Sequence, residues 1–351
     1  MGGLEYPPYG LMKDVYVKIM PQEINVIDTY HQDVDVSSFL HIQNDLDIAD
    51  ARMFVINYIW KDDDYPLNKI PSKIELDIFD EKFSNMSNLE KIDKITVLMD
   101  HGVDSKAYLF VASTSNDKLV IYHQGHDGDF VLGKDTIQYF LDRNYSVLAF
   151  AMPLMGQNNN PIIDLPNFGK LKLTSHDELK FLESEKLSPL KFFVEPIIVA
   201  LNYVQKEYDF SSYDMVGISG GGWTTVLYSA IDPNISKSYP VAGSVPMYLR
   251  FDNPKNMGDY EQMIPSFYAK VSYQDLYVMS SYGENRGQLQ IFNKYDPCCF
   301  SGTEYITYEN EIKQIISNLG HGQFEIFLDE NNLKHSISKE SLEIIIHDMR
   351  S

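Results

Sequence analysis

Residues 214–223 read Asp214-Met215-Val216-Gly217-Ile218-Ser219-Gly220-Gly221-Gly222-Trp223, a short apolar run that enters a glycine cluster with one serine at its apex. In physical terms this is a buried strand, a very tight turn and the start of a helix. The spacing Gly217-x-Ser219-x-Gly221 is what a nucleophile elbow requires, because the serine sits at a strained backbone position where neighbouring side chains would collide with strand and helix. Beyond the turn, Val226, Leu227, Ala230 and Ile231 recur at helical spacing, so the first amides of that helix point back at Ser219, where they could stabilise an oxyanion. A lone pentapeptide of this kind also arises by chance. A dinucleotide fingerprint is the rival reading, since Gly217 and Gly222 share its outer spacing. Ser219, however, takes the middle glycine position, where its side chain would obstruct a pyrophosphate.

With 351 residues the chain can bury a substantial core and suits one large domain with an added segment. Lys plus Arg number 29 against 50 for Asp plus Glu, a formal charge of -21, so nucleic acid and anionic membranes would be repelled over most of the surface. Neither is expected as a partner. No signal-peptide run is apparent over residues 1–15 and no membrane-spanning run follows, so a soluble, cytoplasmic protein is the expectation. Cys298 and Cys299 are neighbours in the chain, with alpha carbons about 3.8 Å apart, too close for an ordinary disulfide.

Residues 1–90 carry no chemical signature and read as an accessory segment packed on a catalytic domain spanning 91–351. Three short strands follow, at 94–99, 107–112 and 119–122. The third runs into His123-Gln124-Gly125-His126-Asp127-Gly128, which reads as a loop presenting a second oxyanion amide, as an ordinary turn, or as a metal-binding histidine pair. The oxyanion reading is preferred, because His123 and His126 lack a carboxylate partner motif, and no metal or cofactor is expected.

Alternation then begins, with a helix at 136–141, a strand at 146–151, a long loop at 153–173, a helix at 190–208 and the strand feeding Ser219. Near-continuous apolar strands alternating with helices predict a mostly parallel sheet covered on both faces. After the elbow helix come a strand at 241–245, an aromatic-rich insertion at about 246–270, strands at 276–279 and 289–292, a helix at 309–319, a strand at 324–328 and a closing helix at 339–349. The aromatics of the insertion, Tyr248, Phe251, Tyr260, Phe267 and Tyr268, either cap a pocket or pack the insertion on its own core.

A serine hydroxyl needs a base to take its proton, and the base needs a third group to fix its tautomer. Downstream of Ser219 there are three histidines. His335 follows the strand at 324–328 and precedes a helix start, which puts it on a loop at a sheet edge. His321 precedes that strand and lies at the opposite end, and His347 falls inside the last helix. The same reasoning selects Asp296, just after the strand at 289–292, with Asp329 as runner-up.

Gly217-Ile218-Ser219-Gly220-Gly221, Asp296 and His335, set in alternating strands and helices, resemble the α/β-hydrolase superfamily over about residues 92–351. The layout is similar to its acetyl-xylan-esterase and dienelactone-hydrolase-like branches, with no motif that selects one. The resemblance implies an esterase-like serine hydrolase with Ser219 as nucleophile, His335 as base, Asp296 as orienter and the Gly220 amide in the oxyanion hole. Gln124, Gly125, His126 and Trp223 are the further oxyanion or substrate-binding candidates; the family's His-Gly pair here reads Gln124-Gly125. The substrate implied is a small-molecule or carbohydrate ester, and self-association is left open. An acyltransferase with the same triad and a non-catalytic scaffold on the same fold are the alternatives.

Overall fold

The computed structural model describes residues 34–251 and 253–351, so the expectation for residues 1–15 lies outside it. In chain order the helices and strands are α1 (Asp45–Trp60), β1 (Lys73–Glu75), β2 (Leu89–Leu98), β3 (Asp104–Ala112), β4 (Lys118–His123), α2 (Lys134–Leu141), β5 (Ser146–Phe150), β6 (Ile162–Leu165), β7 (Gly169–Lys172), α3 (His176–Leu179), α4 (Lys191–Glu207), β8 (Ser212–Ile218), α5 (Gly220–Ile231), β9 (Ile235–Val241), α6 (Pro265–Tyr268), α7 (Tyr273–Ser281), β10 (Gly287–Asn293), α8 (Glu309–Leu319), β11 (Gln323–Asp329) and α9 (Lys339–Asp348).

Nine strands form one sheet in the order β1-β2-β3-β5-β4-β8-β9-β10-β11. The first three pair antiparallel, as does β3 with β5, and from β5 onward every neighbour is parallel. Successive side chains of a strand point to opposite faces, and the two cores follow that period of two. Leu119 and Ile121 of β4, with Leu148 and Phe150 of β5, pack with α1, α4, α5, α7 and α8. Val120 and Tyr122, with Val147 and Ala149, pack with α2 and α9 on the other face. Helix α1 belongs to the first of these cores through Ile48, Val55, Ile59 and Trp60, and its Arg52 Nε donates to the carbonyl of Ala230 in the elbow helix, 3.0 Å away. A buried parallel sheet covered on both faces is therefore the frame.

Two expected strands are corrected. Residues 276–279 are part of helix α7, whose nine residues are all buried. A helix buried on every side has no polar face, so its apolar run carries no 3.6-residue period and imitates a core strand. The expected strand at 241–245 ends where it was thought to begin, because Ala242 turns to φ 43° directly after β9. The loop at 153–173 also contains the β6–β7 hairpin.

Candidate active site

Because β4, β8, β10 and β11 run parallel, the loops at their C-terminal ends open at one edge of the sheet. That edge is where an open α/β sheet places its ligand site. Ser219 stands at the end of β8 with φ 57° and ψ −126°, a strained conformation for a residue with a side chain, and its amide donates to the carbonyl of Val241 at 2.9 Å. A methyl group on Gly217 would come within 2.1 Å of the Gly221 carbonyl oxygen, which is why this turn demands glycine. Ser219 is 7% exposed.

His335 lies on the loop after β11, and its Nδ1 is 2.8 Å from Oδ2 of Asp296, which follows β10. The Asp296 carboxylate is fully buried and held on both oxygens: Asn293 Nδ2 donates to Oδ2 at 3.1 Å, and the Cys298 amide donates to Oδ1 at 2.8 Å. With an acceptor fixed at Nδ1, the neutral imidazole carries its proton there and leaves Nε2 as the free base. Burial disfavours the charged imidazole, but the hydrogen bond and charge of Asp296 outweigh it and raise the His335 pKa. Asp329 sits elsewhere. Its Oδ1 accepts the amides of Asn331 and Asn332, each at 2.9 Å, and its Oδ2 accepts the hydroxyls of Ser338 and Ser341, which closes the loop that carries His335.

Sequence reasoning gave the cysteines no part here, yet the thiol of Cys299 lies beside both Ser219 and His335. It lies against the side chain of Ser219 and 3.9 Å from Nε2 of His335. Among the described residues no direct hydrogen bond joins Ser219 to His335. The two cysteines form no disulfide, with sulfurs 2.8 Å apart. The adjacent Cys298 thiol and burial push the Cys299 thiol well above its ordinary pKa, so it is protonated at neutral pH and a poor nucleophile.

The loop after β4 packs directly on the elbow. A methyl group on Gly125 would sit 2.6 Å from the Ser219 Cβ and 2.8 Å from the Ile218 carbonyl oxygen. The Gln124 backbone amide donates to the Phe150 carbonyl at 3.0 Å, which takes it away from an oxyanion, and its side chain accepts from Tyr122 and donates to Asp127. Trp223, expected to contact substrate, is fully buried; its Nε1 donates to the Tyr268 hydroxyl at 2.8 Å and its ring packs edge-on against Phe193. It anchors helix α5 to Tyr268 and Phe193. His123 and His126 do not form a pair: Nδ1 of His123 bonds the Gln124 carbonyl at 2.9 Å, and burial lowers its pKa to about 4. His126 instead turns to His176, Asp259 and Glu261, so among the described residues two groups of potential metal ligands converge, this one and Cys298, Cys299 and His335. His176 and the two acids were not legible as site residues, because loops from distant parts of the chain bring them together.

No protein-family model matches the chain, and no curated protein matches it by sequence. Solved structures do match by fold. An acetyl xylan esterase from Paenibacillus sp. R4 superposes with a TM-score of 0.58 at 13% identity, covering 90% of this chain and 99% of the other. Acetyl xylan esterase 1 from Thermoanaerobacterium sp. gives 0.56 at 13%, with coverages of 90% and 98%. A glucuronoyl esterase from Solibacter usitatus gives 0.55 at 11%, with 90% and 94%. At such identities the likeness is one of fold. No helix among the described residues is long and apolar enough to cross a membrane.

Proposed function

We propose that this chain, which has the α/β-hydrolase fold, is a serine hydrolase of carboxylic esters. The observation that carries the reading is the Asp296–His335 hydrogen bond of 2.8 Å, at the sheet edge where Ser219 is held in a strained turn. In the proposed cycle His335 Nε2 takes the Ser219 proton as Oγ adds to the ester carbonyl. Asp296 stabilises the imidazolium, which then protonates the leaving alkoxide. Water resolves the acyl-enzyme by the same route, with His335 again the base. The Gly220 amide, first in helix α5, is the proposed oxyanion donor, and the Gly125 and His126 amides at the packed β4 loop are the candidates for the second. The neighbours named as acetyl xylan esterases support a small acyl group on a carbohydrate as the substrate to try first. A panel of acetylated sugars and simple acyl esters, assayed with the native protein and Ser219→Ala, tests the reading. Turnover of none of them, or turnover that survives the substitution, would sink it.

Two further outcomes are expected. The thiol of Cys299 neighbours both His335 Nε2 and Ser219, but a protonated thiol contributes no attacking sulfur. Cys299→Ala should therefore keep kcat/KM within about tenfold of native, whereas losing a nucleophile costs on the order of 10³-fold or more. The second concerns pH. Because the His335 pKa is raised, the protonated, inactive imidazole persists to higher pH than an ordinary histidine near ~6.5, so kcat/KM should climb with pH through an apparent pKa above that value. A pH–rate profile flat from about pH 5 to 8 on folded protein would remove His335 as the titrating base.

A further inference from the structure

Beside the elbow, four side chains from separate stretches of chain aim their ligand atoms at one point. His126 Nε2 is 3.1 Å from His176 Nδ1, 2.8 Å from Glu261 Oε1 and 3.2 Å from Asp259 Oδ2. His176 Nδ1 is in turn 3.1 Å from Glu261 Oε1 and 3.7 Å from Asp259 Oδ2. For metal–ligand bonds of about 2.0–2.1 Å, the edge of a tetrahedron is about 3.3 Å, the middle of this range.

Three observations point to a cation. His176 is fully buried, and its Nε2 lies 2.9 Å from the Pro153 carbonyl oxygen, an acceptor only, so Nε2 carries an N–H and in the neutral ring the lone pair of Nδ1 faces the carboxylates. A ring nitrogen anchored to a backbone carbonyl with its other nitrogen turned inward is the usual outer-sphere arrangement of a metal-bound histidine. Glu261 is also fully buried, and its second oxygen, Oε2, has no hydrogen-bond partner among the described residues. A buried carboxylate oxygen left bare is costly unless a positive charge adjoins it. Asp259, about half exposed, gives the point a path to solvent.

We propose that His126, His176, Asp259 and Glu261 form a binding site for one divalent transition-metal ion of the zinc class. Two imidazole nitrogens and two carboxylate oxygens at tetrahedral spacing suit Zn²⁺ better than Ca²⁺ or Mg²⁺, which take six or more oxygen ligands. The ion ties together the loop after β4, the first residue of α3 and the insertion at 246–270. It acts on the wall of the active site, because a methyl group on Gly220 would lie 2.3 Å from Cε1 of His126.

The test uses the full chain stripped with chelator and titrated with Zn²⁺ and with Co²⁺, read by metal analysis, thermal midpoint and visible spectrum. One Zn²⁺ per chain should bind and raise the thermal midpoint with its concentration. Co²⁺ should give the intense visible bands of a tetrahedral site with no thiolate charge-transfer band. Asp259→Asn, at a half-exposed position, and His176→Ala should each weaken Zn²⁺ binding by on the order of 100-fold or more, while Cys298→Ser/Cys299→Ser retains it. Folded protein that binds no Zn²⁺ or Co²⁺, a thiolate band, or binding lost only in the cysteine variant would overturn the proposal. None of these readouts depends on ester hydrolysis.

Discussion

Ser219→Ala is expected to lower kcat/KM for an accepted ester by on the order of 10³-fold or more while leaving the thermal midpoint near that of the native protein. The substitution removes the oxygen that forms the acyl bond and nothing that supports the turn. The amide of residue 219 still donates to the Val241 carbonyl, and a small side chain still faces Gly125. Alanine at φ 57° carries the same backbone strain as serine, so the elbow keeps its shape. The residual rate would come from binding and oxyanion stabilisation alone. A kcat/KM within tenfold of native would show that another group attacks the ester.

The second large effect is expected at Asp296, where Asn should cost about 10⁴-fold in kcat. Both oxygens of Asp296 are acceptors in the structure, for Asn293 Nδ2 and His335 Nδ1 on one side and for the Cys298 amide on the other. An amide group cannot accept on both sides. Its NH₂ faces either the donors at Oδ2, which drives His335 into the tautomer that blocks Nε2, or the Cys298 amide, a donor–donor clash that distorts the loop. Asp329→Asn is the matched control. Its carboxylate serves Ser338, Ser341 and two backbone amides, so the change should cost about 1–3 kcal/mol of stability and leave kcat/KM within about tenfold of native. If the two variants exchanged these phenotypes, Asp329 would be the orienting acid.

Asp296 and His335 were legible because parallel strands put all their C-terminal ends at one edge. Once the strands at 289–292 and 324–328 are recognised, chain order places Asp296, Asp329 and His335 at the edge that carries Ser219, and the structure pairs His335 with Asp296. The mistaken strand at 276–279 shows the limit of that reading. Leu276, Tyr277, Val278 and Met279 are all fully buried, and periodicity says nothing where every face is covered. The missed signal was local: Ser272 and Asp275 form a capping box, with the serine side chain taking the Asp275 amide and the carboxylate taking the Ser272 amide. Nothing comparable announced His176, Asp259 or Glu261. They stand 50, 133 and 135 positions from His126, in a loop and in helical turns too short to show a period, and only tertiary packing brings them together. Cys299 likewise comes near Ser219 only through tertiary packing, 80 positions along the chain.

The claim on which the rest depends is that Ser219 forms the covalent bond. The most direct measurement is mass mapping of the protein after reaction with a fluorophosphonate, which phosphonylates an activated serine with loss of fluoride. The expected result is one adduct per chain, on the peptide that contains Ser219, absent from Ser219→Ala and strongly slowed in His335→Ala. An adduct on the peptide carrying Cys298 and Cys299, or no adduct on folded protein that hydrolyses esters, would contradict it.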